Sequence, residues 1–103
     1  MKIHILYNYF DLEVYVENKP EIPIKIYGKR DSQSSCKSIL FEDGFLKNIT
    51  DELSSNPLDE IDQNSFNQIV ESNVSEIIKD WIDIFVYNKQ KQPELLKNRL
   101  SSE

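Results

Sequence analysis

Phe66, Ile69, Val70, Val74, Ile77, Ile78, Trp81, Ile82 and Phe85 recur at three- and four-residue steps through the second half of the chain. That spacing puts them on one face of an α-helix, and an apolar helix face has to be covered by a second layer. The first half supplies the layer, being rich in Tyr, Val and Ile at the period-two spacing of half-buried strands. The chain therefore reads as a small sheet with helix laid across it.

Residues 3 to 9 alternate Ile3, Ile5, Tyr7 and Tyr9 against His4, Leu6 and Asn8, and residues 12 to 17 alternate Leu12, Val14 and Val16 against Glu13, Tyr15 and Glu17. With Phe10-Asp11 between them, these runs predict an antiparallel hairpin. Pro23 opens a third strand over 24–28, where a missing N–H costs no ladder bond. Lys29 to Ser35 has no apolar anchor and is predicted as a mobile polar loop. Strands over 37–42 and 45–49 flank Asp43-Gly44, where glycine accepts the positive φ of a tight turn. Strands joined this locally make a meander.

Between residues 50 and 61 the pattern lapses into Ser, Asn, Pro and acids, with Leu53, Leu58 and Ile61 as candidate packing points. Two capping-box-like starts follow, Ser65-x-x-Gln68 and Asn73-x-x-Glu76. They favour two helices meeting near Asn73, although the apolar phase runs through Asn73 without a slip and also fits one helix of about 20 residues. Pro93 stops the helical run. Beyond it, Leu95, Leu96 and Leu100 beside Lys97 and Arg99 fit either a short amphipathic helix docked on a second subunit or partner, or a frayed terminus. The predicted architecture is α+β, an antiparallel β-meander of about five strands packed against two C-terminal α-helices. Residues 1–92 form its single domain and 93–103 a short tail.

At 103 residues the chain can close one core without disulfides or metals. Cys36 has no cysteine to bridge to, and no charged-then-apolar leader precedes Ile3, so a reducing, cytoplasmic setting is expected. No apolar run approaches the roughly 20 residues that span a bilayer. The net charge of −6 is spread unevenly: residues 1–50 are neutral, residues 51–83 hold nine acids against one lysine, and residues 84–103 are weakly basic. An acidic middle third repels phosphate and attracts basic protein surfaces, which disfavours direct nucleic-acid binding. The same charges also suit a plain solvated helix face.

Chemistry-bearing constellations are sparse. His4 and Cys36 are the only residues of their kinds, and a nucleophile–base pair would need them adjacent with an orienting acid. Zinc lacks ligands, and the acidic stretch Asp59 to Asn64 lacks the glycine and distal glutamate of a calcium loop. Gly28 and Gly44 alone cannot build a phosphate cradle. Glu76, Asp80 and Asp83 fall on a solvated side of the helix, opposite the apolar ladder, and so lack the desolvation that acid–base work requires. Trp81, in phase with Ile77, Ile78 and Phe85, is expected in the core. Tyr7, Tyr9, Tyr15 and Tyr27 could serve base stacking only with basic residues around them, and Lys25, Lys29 and Arg30 form the only such cluster.

The run Asn18 to Gly28 ending in Ile26-Tyr27-Gly28, then Glu42-Asp43-Gly44, and Asn73 followed eight residues later by Trp81, resemble a family of small bacterial domains of unknown function often found beside toxin–antitoxin genes. The likeness covers roughly residues 1–86. The family's third strand carries Pro-Pro-His-x-His, whereas Pro23 and Lys25 stand at the two histidine positions here, so no metal or acid–base role carries over. The resemblance implies a β-meander with C-terminal helices and a toxin–antitoxin-like or mobile-element setting.

Together these features point to a non-catalytic protein-binding module without cofactor or metal. Its expected contact residues are Asp51, Glu52, Asp59, Glu60, Asp62, Glu76, Asp80 and Asp83. The partner is either a basic toxin, neutralised in antitoxin fashion, or a nucleic-acid-handling defence enzyme blocked by a phosphate-like acidic surface. A homodimer stays open. The rival reading is a small toxin-type hydrolase or nuclease with an active site of unfamiliar form.

Overall fold

The computed structural model describes the backbone of residues 3–21, 23–42, 45–52, 54–90 and 92–96, and the side chains of the same residues except 40–50 and 52. Five strands, β1 (Ile3–Tyr9), β2 (Leu12–Glu17), β3 (Ile24–Arg30), β4 (Gln33–Glu42) and β5 (Phe45–Glu52), form an antiparallel meander. Two helices follow, α1 (Glu60–Ser72) and α2 (Val74–Phe85), and a sixth strand, β6 (Glu94–Leu96), joins β1 in parallel. The sheet order is β5-β4-β3-β2-β1-β6. This is the expected α+β meander with two C-terminal helices, extended by one strand.

β2 and β3 follow the two-residue period closely: Leu12, Val14, Val16, Ile24 and Ile26 are buried on the helix side. β1 does not. A bulge between Ile5 and Tyr7 shifts the register, so Ile5 pairs with Tyr15 and Tyr7 with Val14. Tyr7 and Tyr9 therefore share the helix side with His4, and Ile3 and Ile5 face the other way. The segment predicted as a polar loop is mostly strand, because β3 and β4 stay paired out to Arg30 and Gln33. Ser34 N donates to Asn56 O and Asn56 Nδ2 to Ser32 O, which ties this hairpin to the chain after β5. The Asp43-Gly44 turn lies outside the described residues.

α1 starts five residues before the predicted Ser65 cap. Asp59 accepts a hydrogen bond from Asp62 N at 2.9 Å, and Glu60 and Asp62 place negative charge in the first turn, where the helix dipole favours it. Asn73 ends α1 rather than capping α2: its Nδ2 donates to Ile69 O at 2.8 Å, and its side chain makes no cap bond to α2. The break turns α2, so its buried residues are Ile77, Asp83 and Ile84, while Ile82 is exposed. Trp81 is half-buried at the margin of the core, tilted against Phe85 at 5.2 Å. Of the three packing points in the connection, Leu58 is buried, Ile61 is 76% exposed, and Leu53 lies outside the described residues.

The tail corrects the helical reading beyond Pro93. Glu94, Leu95 and Leu96 pair with Tyr7, Asn8 and Tyr9, supplying partners to a β1 edge that would otherwise be open. Leu96 packs against the core and Leu95 stays exposed. Leu100, Lys97 and Arg99 lie outside the described residues.

Phe66, Ile69, Val70 and Ile77 are fully buried over the sheet. Phe66 lies so close to β3 that a Cβ on Gly28 would sit 2.6 Å from its Cδ1. Only glycine leaves room for the ring. Gly28→Ala is therefore expected to destabilise the domain by about 1–3 kcal/mol through forced overpacking. The shift in the urea midpoint measures it, and an unchanged midpoint would mean that the ring does not rest on the strand.

Candidate protein-binding surface

The eight acids singled out in the sequence separate into two groups once folded. Three make ion pairs within the chain. Asp62, buried beneath α1, lies 2.8 Å from Arg30 Nε as an ion pair without hydrogen-bond alignment. Asp51 stands 2.5 Å from the Nζ of Lys37, a lysine buried on β4 whose ammonium also approaches Glu71 at 3.6 Å. Asp83 is buried and lies 3.9 Å from Lys89 Nζ. Beside the first two pairs, Ser35 donates to Gln63, giving α1 a polar seat on β4 next to its apolar one. Lys37, Asp62 and Asp83 are the buried ends of these pairs and would be left uncompensated without their partners, whereas Asp51 and Lys89 are mostly exposed.

The others lie on the helical side or beyond description. Asp59 caps α1, Glu60 and Glu76 are exposed, and Asp80 is half-buried with its interactions made within the chain. The Glu52 side chain lies outside the described part. Glu71 is exposed as well while approaching Lys37, so the exposed charges of the helical segment are Asp59, Glu60, Glu71 and Glu76 against Lys79. The charge acts inward too. Tyr7 is pushed up to about 12, first by burial and then by Asp80, Glu94 and Glu76.

His4 pairs with Val16 on the helix side of β1, whereas Cys36 pairs with Tyr27 on the opposite face of β4, so the two do not meet. His4 Nε2 is 2.9 Å from Asn18 Oδ1, and the ring stands edge-on to Phe85 at 5.5 Å. His4 and Phe85 belong to the wall of an open cleft of about 680 Å³, which Asn88, Lys89, Gln92 and Pro93 also line. Among the described residues, no group of three His, Cys, Asp or Glu side chains is placed to hold a metal ion. No described helix is long and apolar enough to cross a membrane.

One surface escaped the sequence reading. On the sheet face turned away from the helices, Ile5, Tyr15, Tyr27 and Cys36 form a row across four strands. Tyr15 and Tyr27 stack at 5.3 Å with 16° between planes, and Tyr27 donates to Glu17 at 2.9 Å. Burial, then Glu17, Cys36 and Glu13, raise the Tyr15 phenol above its ordinary value, which keeps it neutral. Glu13 pairs with Lys29 beside this row, and the same register continued sets Glu17 next to Lys25. The legible signal was the pair of alternating patterns Glu13-x-Tyr15-x-Glu17 and Lys25-x-Tyr27-x-Lys29 on adjacent strands. Compared with protein-family models, curated proteins and solved structures, the chain matches none of them.

Proposed function

We propose that this chain is a non-catalytic protein-binding module whose helical side receives a basic partner surface, in the manner of an antitoxin or an enzyme inhibitor. The observation that carries the reading is the exposed set Asp59, Glu60, Glu71 and Glu76, set against the single Lys79. Such a field steers a cationic partner into encounter and repels free nucleic acid. Glu60 and Glu76 are the acids to test, because neither is used as a cap or an ion-pair partner by the described fold. A toxin–antitoxin-like setting, implied by the sequence resemblance, is compatible with a basic toxin or nucleic-acid-handling enzyme as that partner.

The test starts from a partner recovered from the native host and purified. Replacing Glu60 and Glu76 together by lysine is expected to slow its association about tenfold or more, and raised salt to slow the wild-type protein likewise. Stability should fall only modestly, by about 0.3–1 kcal/mol at each position, since both are exposed but sit in the first turns of α1 and α2, where the helix dipole favours negative charge. Association indifferent to both salt and charge reversal would sink the acidic-surface reading.

A further inference from the structure

We propose that the helix-free face of the sheet is a homodimer interface, in which two copies stack face to face about a two-fold axis running along the strands between β2 and β3. The symmetry of the side chains selects this arrangement. A two-fold axis in that position lays the β2 of one copy over the β3 of the other while keeping residues at the same height along the strands. Glu13 then faces Lys29 of the second copy, Tyr15 faces Tyr27, and Glu17 faces Lys25, because each of these is already its neighbour, or next in register, within one sheet. Every such contact occurs twice, as an isologous interface requires.

The outer strands obey the same operation. β1 comes to lie over β4, so Asn8 meets Ser34, polar on polar, and Ile5 lies over Cys36, which is itself buried within its own chain. A two-fold axis across the strands would instead set Glu13 on Glu17 and Lys25 on Lys29, opposing like charges. The face is also the side on which two copies can approach. Among the described residues of β2 and β3, Glu13 and Glu17 balance Lys25 and Lys29 on this face, whereas the helical sides are acidic and repel each other.

The stacked Tyr15–Tyr27 plate at the centre supplies rigid, amphipathic contact area of the kind that dominates binding energy in interfaces. Six strands about 4.8 Å apart and roughly six residues long give on the order of 600 Å² of projected face, comparable with the ~800 Å² of accessible surface per partner in a standard interface. Two sheets packed in this way form a sandwich with both helical layers outside. The interface uses the side opposite the acidic surface, so the pairing of copies does not depend on which partner that surface takes.

Light scattering on the full chain across a dilution series is expected to give twice the 12.1 kDa of one copy. Glu13→Lys alone, and Lys29→Glu alone, should each reduce the mass to that of a single copy, with circular dichroism confirming that the fold is kept. An equimolar mixture of the two variants should recover the doubled mass, since in the mixed pair the two substituted positions meet with opposite charges at one contact and the two unsubstituted positions do so at the other. A wild-type monomer at all concentrations, a dimer indifferent to either substitution, or a mixture that stays monomeric would each overturn the proposal. None of these outcomes depends on Glu60 or Glu76, so the two readings fail separately.

Discussion

Phe66→Ala is expected to lower the unfolding free energy by about 3–5 kcal/mol, the cost of deleting a fully buried aromatic ring together with the cavity left behind. The site is poorly able to close over the gap, because the strand residue under the ring, Gly28, has no side chain to move into it. Domains of this size have about 5–15 kcal/mol of stability in total, so the variant should be near the limit of folding at ambient temperature. Urea unfolding followed by circular dichroism gives the number. Ile61→Ala, on the same helix but 76% exposed, is the control and should stay within about 0.5 kcal/mol of the wild type. Equal losses at the two positions would show that α1 does not present Phe66 to the sheet.

Alkaline pH is expected to remove about 2–3 kcal/mol through Tyr7 alone. Its phenol is raised from 10.0 to about 12 in the folded chain, by burial and then by the nearby acids. Below the unfolded value both folded and unfolded chains hold the proton, and the native state keeps its full stability. Between that value and about 12 only the folded chain holds it, so unfolding releases a proton and stability falls as pH rises. Tyr7→Phe removes the titrating group and should flatten that part of the profile. The comparison is between urea midpoints of the two proteins below pH 10 and near pH 12. Parallel profiles would mean that the Tyr7 hydroxyl is solvated.

The meander was legible because β2 and β3 bury every second residue, and the helix pair because apolar residues repeat at helical steps. What sequence periodicity could not register was a change of phase. A single-residue bulge in β1 moved Tyr7 and Tyr9 to the side opposite Ile5, and the turn of the chain at Asn73 rotated α2 until Asp83 faced inward and Ile82 outward. The acids of the candidate site failed for a related reason. Asp51, Asp62 and Asp83 look alike in sequence, yet their partners Lys37, Arg30 and Lys89 are brought near only by the fold. β6 was hidden because three residues carry no period, and only the unfilled edge of β1 gave them a reason to extend.

The pairing of β6 with β1 has a consequence for the order of folding. Tyr7 and Glu94 are joined across almost the whole chain, whereas every other strand pair closes a short hairpin or near-neighbour turn. Hairpins form early because little chain entropy is lost in closing them, and the longest loop closes late. On a ribosome, β1 therefore waits with one side unpaired until nearly the last described residue has emerged. A chain that stops before Glu94 would keep that bare edge, a ready template for aggregation. β6 thus acts as a seal that is supplied only once the chain has been made through Leu96.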